Sequence, residues 1–244
     1  ISNMKKLLYL FFFISFFGYS QTQITDANFQ SAINNCLSTN PVDGMCSDSE
    51  YGAMPTWDVS QVTDMNEAFK LKTSFNGDIS AWNVGSVTDF GGMFYQANAF
   101  NQPIGNWDVS SVTLMVAMFE YAYDFNQDIS NWDVSSVNTM RYMFASASSF
   151  NQDISNWDVS SVNTMERMFK NASAFNQNIS AWDVSSVTNM SYMLKNASAF
   201  NQDIGDWDVS SVTNLSNFVD GTSISVANYD ALFTGWSALT LQQG

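Results

Sequence analysis

The chain has 244 residues with 23 acidic residues, eight basic residues and no histidine, so its formal net charge is −15. This balance argues against a nucleic-acid partner, because nucleic-acid binding depends on neutralising phosphates with lysine and arginine. It argues equally against docking on an anionic membrane surface. With no histidine and only two cysteines, and with no cofactor-binding motif, we expect neither a bound metal nor a cofactor.

The first twenty residues have the pattern of a signal peptide. Met4 is followed by Lys5 and Lys6, and residues 7–17 form an apolar run of eleven residues. Such a run is too short to span a bilayer comfortably and suits a signal-peptide core. We expect cleavage before Gln21, after which six bases remain against 23 acids and the net charge is −17. The alternative is an uncleaved N-terminal anchor.

Residues 21–53 are predicted to form an N-terminal cap. Thr25 or Asp26 could cap a helix, whose apolar face recurs every fourth residue. That face consists of Phe29, Ile33 and Leu37. Cys36 and Cys46 are the only cysteines, and in an exported chain we expect them to form a disulfide. Two free thiols are the alternative.

Residues 54–221 contain seven copies of one 25-residue unit. The tryptophans of the units keep this spacing without any insertion: Trp57, Trp82, Trp107, Trp132, Trp157, Trp182 and Trp207. A fixed period of this size is typical of a solenoid, in which each unit is one coil and neighbouring coils stack. One coil buries too few apolar side chains to fold alone, so the stack requires caps at its ends.

Each coil is predicted to contain a short strand and a short helix. With the tryptophan as position 0, apolar residues at positions 8, 11, 12 and 15 have the spacing of a two-turn helix. In the fifth coil these residues are Met165, Met168, Phe169 and Ala172. Trp157 and Val159 alternate with Asp158, as in a short strand. Because strands stack more closely than helices, the strand side is expected to be concave.

Two polar columns accompany the tryptophans. An aspartate follows the tryptophan in six coils, and Asn83 takes its place in the second coil. The serines that follow favour an Asx turn, in which the side chain accepts backbone N–H bonds; calcium binding is the alternative. A Phe-Asn pair precedes each tryptophan from the second coil on, for example Phe150 and Asn151, and predicts a structural asparagine ladder.

These repeats resemble a known family. The stretch MFKNASAFNQNISAWDVSSVTNM at residues 168–190 resembles the BspA-like leucine-rich repeat of bacterial surface proteins, of the DUF285 type, and the resemblance covers about residues 54–221. It implies an α/β repeat solenoid, a leucine-rich-repeat-like right-handed superhelix with one short strand and one short helix in each coil. The family repeat carries no catalytic residues.

Residues 222–244 depart from the repeat and are predicted to form a C-terminal cap helix. Ser225 could cap this helix, which would cover the open end of the stack. Its apolar face consists of Tyr229, Leu232, Phe233 and Trp236. The residues before Met4, and the end at Gly244 without a sorting signal, indicate a fragment of a longer protein.

Variable residues cluster on the predicted helix side of the coils. Since tyrosine and arginine are enriched at interfaces, we take five of them as candidate partner-binding residues. They are Tyr95, Tyr121, Tyr142, Arg167 and Tyr192. The alternative is a solvated surface that varies without consequence.

The leading functional prediction is a non-enzymatic, monomeric interaction or adhesion module on the bacterial outer surface or secreted from the cell. Its partner would be a protein or glycan of a host, a matrix or a neighbouring cell. A passive stalk for other domains is the first alternative. An enzyme with paired carboxylates is disfavoured because the acids recur in columns, and an ice-binding threonine ladder is interrupted at Asn138 and Asn163.

Overall fold

The computed structural model describes residues 21–237 and residue 239. Helix α1 spans Phe29–Thr39, a short 3-10 helix spans Met54–Thr56, and helix α2 spans Val226–Ser237. Between the last two, the described chain consists of turns joined by single-residue parallel bridges. The predicted signal peptide, and residues 238 and 240–244 of the predicted C-terminal cap, lie outside the described residues.

The seven coils stack with a register of one 25-residue repeat. A parallel bridge joins position 7 of each coil to position 7 of the next, beginning with Asp64 and Asp89 and ending with Asn189 and Asn214. The apolar columns are almost completely buried: Val62, Phe75 and Ile79 are 0% exposed. One continuous core therefore runs through all the coils.

A ladder of backbone hydrogen bonds runs along one side of the stack. The amides at positions 8, 10, 12 and 14 of a coil donate to the carbonyls at positions 7, 9, 11 and 13 of the next. In the first coil, Met65 donates to Asp89 at 3.0 Å and Phe69 donates to Met93 at 2.8 Å. All six junctions repeat these four bonds. Amides between these positions close tight turns within the coil. The Lys70 amide, for example, donates to the Glu67 carbonyl at 3.1 Å.

The predicted helix of each coil is wrong. Met165, Met168, Phe169 and Ala172 are buried as expected, but they lie in consecutive turns. The reason is the distance between coils. The stacked rings of successive coils on this side have centroids 5.5 Å apart, whereas packed helices need about 8–10 Å. Adjacent coils thus leave no room for helices.

The turn segment repeatedly uses left-handed backbone. Positions 10 and 14 have φ near +60° in every coil. Glycine occupies two of these sites, Gly92 and Gly221. The others are Glu67, Leu71, Gln96, Ala117, Tyr121, Tyr142, Ser146, Arg167, Asn171, Tyr192, Asn196 and Asn217. An L-residue in this conformation costs about 1–2 kcal/mol, so inter-coil bonding must offset that cost at each site.

This backbone conformation yields a paired prediction. Ala117→Gly should raise the free energy of unfolding by up to about 1 kcal/mol, since the relieved strain exceeds the added entropy of the unfolded chain. Gly92→Ala should lower it by about 1 kcal/mol through conformation alone, because a Cβ there meets its nearest neighbour, Glu67 Cγ, at 3.4 Å. Denaturant unfolding measures both changes, and the same sign for both would contradict the assignment.

The tryptophans connect coils through their indole groups. Trp132 Nε1 donates to the Ile104 carbonyl, 28 residues earlier, at 3.1 Å. The bond recurs from Trp82 to Trp207, at distances of 3.0–3.2 Å. The rings also stack, with Trp132 and Trp157 centroids 6.5 Å apart and 4° from parallel. Each indole therefore packs in the core and satisfies a carbonyl of the coil before it.

The predicted strand at the tryptophan is also wrong, although the alternation is present. Trp157 and Val159 are buried while Asp158 is exposed. The Trp157 amide, however, closes a turn by donating to the Ile154 carbonyl at 3.2 Å. Because this amide is used within its own coil, it cannot join an inter-coil ladder, and the bridges form at position 7 instead.

The coils converge on the ladder side, opposite to the predicted curvature. Stacked rings are 5.5 Å apart beside the ladder, as between Phe94 and Phe119. They are 6.1 Å apart between Phe125 and Phe150 and 6.1–6.5 Å apart in the tryptophan column. The expectation of a concave tryptophan side depended on helices that the coils do not contain.

Substitution of a central tryptophan tests both of its roles. Trp132→Ala should lower the free energy of unfolding by about 3–5 kcal/mol through the cavity it leaves. Trp132→Phe should retain much of the packing but leave the Ile104 carbonyl unpaired, at a cost of about 1–3 kcal/mol. Equilibrium unfolding in denaturant measures both, and a loss below about 1 kcal/mol for the alanine variant would contradict the stacked-indole arrangement.

Side-chain ladders satisfy the remaining loops. The Asn101 amide donates to Asn76 Oδ1 at 2.9 Å, and the same bond recurs up to Asn201 and Asn176 at 2.8 Å. Gln102 Nε2 adds a bond to the Asn76 carbonyl at 2.9 Å. The asparagine column therefore has the structural role that its regularity predicted.

At the N-terminal end, α1 and the segment before it substitute for a preceding coil. Asp26 accepts bonds from the Thr63 amide and hydroxyl, each at 2.7 Å, where later coils use the carbonyl of the preceding threonine or asparagine. Asp26 is thus committed to coil 1 and does not cap α1, and neither does Thr25, whose amide donates to Asn28 Oδ1 at 2.8 Å. Cys36 and Cys46 form a disulfide, with Cα atoms 5.2 Å apart.

At the C-terminal end, α2 continues the asparagine ladder. The Ser225 amide donates to Asn201 Oδ1 at 2.7 Å, and Asn228 Nδ2 donates to the Asn201 carbonyl at 2.9 Å. These groups replace the asparagine amide and glutamine amide of a further coil. Ser225 Oγ also accepts the Asn228 amide at 3.2 Å, which is the N-cap bond predicted for this residue. Of the predicted apolar face, Leu232 and Trp236 are buried, and Tyr229 and Phe233 are exposed.

Candidate functional site

The outward side chains of positions 9–16 form a surface that we call the turn face. All basic residues of the described chain lie there: Lys70, Lys72, Arg141, Arg167, Lys170 and Lys195. Only four of the 23 acids do: Glu67, Glu120, Glu166 and Asp220. The turn face therefore has a net charge of +2, whereas the rest of the described chain has 19 acids and no base.

An alternating stack of cations and tyrosines occupies the C-terminal half of the turn face. Position 10 carries Tyr142, Arg167 and Tyr192 in three successive coils. The guanidinium carbon of Arg167 lies 5.1 Å from the Tyr142 ring centroid and 5.0 Å from the Tyr192 ring centroid. Arg141 and Lys195 extend the stack at its two ends, at 5.1 Å and 5.7 Å from the nearest ring. Cation–π contacts of this kind are worth about 0.5–1 kcal/mol each at exposed sites.

Acidic residues position the cations of this stack. Glu166 accepts a bond from Arg141 Nε at 2.8 Å and lies 3.4 Å from an Arg167 terminal nitrogen. Lys195 pairs with Asp220 of the next coil at 2.7 Å. Arg167 also donates to the Tyr142 hydroxyl, and its buried Nε has no acceptor among the described residues. The tyrosine faces and edges are thus held in one arrangement by pairs that cross coil junctions.

The N-terminal half of the turn face carries a second aromatic cluster. Tyr95 and Tyr121 meet edge to face with ring centroids 5.9 Å apart, and Tyr121 meets Tyr123 in the same way at 6.3 Å. Lys70 lies 5.7 Å from the Tyr95 ring centroid. Tyr123 is 41% exposed, which leaves its ring available to a partner.

Glu120 lies between the two clusters and is half-buried. Burial raises the pKa of its carboxyl to about 7, against the opposing attraction of Lys170 and Arg167. The described residues offer its carboxylate no ion pair within 4 Å. A carboxyl in this state changes its charge near neutral pH and so changes the charge of the turn face.

Glu120 therefore predicts a pH effect on stability. The pKa of about 7 in the folded chain lies above that of an unfolded glutamate, near 4.3. Its stabilising contribution is present below the unfolded pKa and is lost as pH rises through 7. Glu120→Gln should therefore raise the melting temperature at pH 8 and have a smaller effect at pH 5. Glu67→Gln, which removes an exposed partner of Lys70, should produce no such gain at pH 8.

The repeated aspartates are engaged in their own turns. Asp158 Oδ1 accepts the Ser160 amide at 3.0 Å and the Ser160 hydroxyl at 2.6 Å, and these bonds lower the pKa of Asp158. Asn83 accepts the Gly85 amide at 3.2 Å in the same position. The described residues contain no group of three or more acidic or cysteine side chains arranged to hold a metal ion.

The structure joins three of the five predicted partner-binding residues directly and separates the other two from them. Tyr142, Arg167 and Tyr192 form the cation–tyrosine stack, whereas Tyr95 and Tyr121 belong to the second cluster. Glu120 and the terminal cation Lys195 were not predicted. Their signal in the sequence was available: every base after Lys6 falls within positions 9–15 of its repeat.

A family model matches most of the chain. Residues 40–154 and 127–232 each match the family described as Mycoplasma protein of unknown function, DUF285. The chain belongs to the DUF285 family. The resemblance found in the repeats is thereby confirmed at the level of this family, while its BspA-like part stays a prediction. Comparison with curated proteins and with solved structures gives no significant match.

Neither helix of the described residues, 21–237 and 239, meets the requirements of a membrane span. Neither α1, with 11 residues, nor α2, with 12 residues, is long and apolar enough to cross a bilayer.

Proposed function

We propose that this DUF285 chain is a non-enzymatic interaction module displayed outside the bacterial cell, and that the turn face contacts its partner. In this proposal the stack is a BspA-like solenoid, exported by the N-terminal signal and present on the surface or secreted. The partner is a protein or glycan of a host, a matrix or a neighbouring cell. The observation that carries the proposal is the collection of all described bases and five tyrosines on one face of an acidic body.

The composition of the turn face supports a binding role. Tyrosine and arginine are enriched at interfaces, because they supply large contact areas with few rotatable bonds and a polar end. Here Tyr142, Arg167 and Tyr192 are additionally fixed by mutual stacking, which reduces the entropy lost when a partner binds. The columns elsewhere on the stack use their polar atoms within the fold, as Asp158 does with Ser160.

A passive spacer is the second candidate. The observation that favours it is the uniformity of the other faces, where the asparagine ladder and the Asx turns repeat with little change from coil to coil. A spacer needs such regular stacking and needs no particular side chains on its surface.

The test is a pull-down with the full chain displayed as a multivalent bait against glycans, matrix proteins and neighbouring bacteria. A partner should be captured by the native chain and lost at least tenfold in apparent affinity in the double variant Tyr142→Ala, Tyr192→Ala. Asp133→Asn is the matched control. Asp133 is an exposed residue of the acidic surface outside the turn face, and asparagine preserves the Asx turn there, as Asn83 does in the second coil.

The result distinguishes the two candidates. The turn face would be supported as the binding surface if the double variant stays folded, as measured by denaturant unfolding, but no longer captures the partner. Equal capture by the native chain and the double variant would show that the partner does not bind at the turn face. A folded native bait that captures no partner would favour the spacer.

A further inference from the structure

The last coil has an unfinished hydrogen-bond ladder. In coils 1 to 6 the amides at positions 8, 10, 12 and 14 all donate to the next coil. Their equivalents in coil 7 have no acceptor among the described residues: Leu215, Asn217, Val219 and Gly221. Asn217 and Gly221 are exposed, and Leu215 and Val219 are half-buried. Four backbone donors, two residues apart, therefore face the C-terminal end of the stack.

Helix α2 covers only part of this end. It packs against the asparagine side of coil 7, so closely that a Cβ added at Gly235 would overlap the Gly205 carbonyl. Between α2 and the turn segment of coil 7 lies an open groove of about 600 Å³. Its lining is mainly apolar and includes Phe218, Val219 and Phe233. Phe233 is 56% exposed, although it belongs to the apolar face of α2.

Trp236 lines the groove and carries an N–H donor that bonds to none of the described residues. Its side chain lines the groove and is only 8% exposed, yet its indole nitrogen is buried without a hydrogen-bond partner among the described residues. Every repeat tryptophan, by contrast, donates its indole N–H to a carbonyl, as Trp207 does to Ile179 at 3.1 Å. A buried unpaired donor is costly, so an acceptor that reached this nitrogen would remove that cost.

These donors define the chemistry of the ligand. Carbonyl oxygens at every second residue are what the same row of amides binds in the six earlier coils. An extended peptide presents a carbonyl at every second residue along one edge, in alternation with its N–H groups, and places alternate side chains on one face. The apolar lining requires at least one apolar side chain on that face. A glycan fits less well, because its polar groups are mainly hydroxyls and do not form a regular row of carbonyls.

We propose that the C-terminal end of the stack binds an extended peptide segment of another protein. The peptide pairs its carbonyls with Leu215, Asn217, Val219 and Gly221 and inserts an apolar side chain beside Phe233. This site borders the turn face, since Asp220 lines the groove, but it does not include the cation–tyrosine stack. A second copy of the chain is the less suitable partner, because its corresponding carbonyl row at coil 1 is partly used: the Ala68 carbonyl accepts Gln30 of α1 at 3.2 Å.

Selection from a random dodecapeptide library on the immobilised full chain tests the proposal. Peptides enriched on the native chain should contain alternating apolar residues and should bind Phe233→Gln at least tenfold more weakly. Val226→Gln is the matched control: Val226 lies on the same helix, is 78% exposed and does not line the groove. This control should bind the peptide like the native chain.

Amide hydrogen exchange followed by NMR distinguishes the proposed pairing from nonspecific binding. A synthetic copy of an enriched peptide should slow exchange at least tenfold at Leu215, Asn217, Val219 and Gly221, and leave Ser216 unchanged. Three results would overturn the proposal: no enrichment over the library background, equal binding to both variants, or slow exchange at all four amides before any peptide is added. Each leaves the turn-face proposal intact, since the double variant Tyr142→Ala, Tyr192→Ala tests that separately.

Discussion

The distance between coils is set by bonds from side chains to backbone. From the third coil on, each indole donates to the carbonyl of the isoleucine in the preceding coil, as Trp132 does to Ile104. Each asparagine of the column up to Asn176 accepts the amide of the next asparagine, as Asn126 does from Asn151. Both bonds have nearly constant lengths, and the rings between them stack at 5.5–6.5 Å. Any backbone in the coils must repeat at that distance. Extended bridges and tight turns can do so, whereas packed α-helices cannot.

This constraint explains which parts of the fold could be predicted. The period, the buried columns and the turn-forming roles of Asp158 and Asn151 follow from the repetition of side chains. The backbone conformation did not follow, because the apolar spacing of Met165, Met168, Phe169 and Ala172 suits a helix as well as a run of turns. Glycine would have indicated left-handed residues, but most such positions carry other residues, including Tyr142 and Arg167. The decisive quantity, the inter-coil distance, arises only after the coils are stacked.

The sequence predicts which residues of the candidate site share a column, but it does not predict the chemistry of the site. Equal spacing puts Tyr142, Arg167 and Tyr192 in one column of successive coils, so their proximity follows from the register. Left-handed φ at all three residues is compatible with the sandwich in which Arg167 contacts two rings. The raised pKa of Glu120, by contrast, depends on its burial within the surface. Ala145 holds the same repeat position as Glu120 in the next coil, and this small residue gives no sign in the sequence that Glu120 is buried.

The direction of the ladder makes the two ends of the stack chemically different. Amides point from each coil to the next along the turn segment, so the first coil presents carbonyls and the last coil presents N–H groups. An N-terminal cap can satisfy carbonyls with side-chain donors, as Gln30 does for Ala68. A C-terminal cap must supply acceptors in a row, and a helix such as α2 uses its own carbonyls internally. The helix can complete the asparagine column through Asn228. The amide row needs a backbone that presents carbonyls at every second residue, as the next coil does at each earlier junction, and a peptide bound at the C-terminal end would supply them.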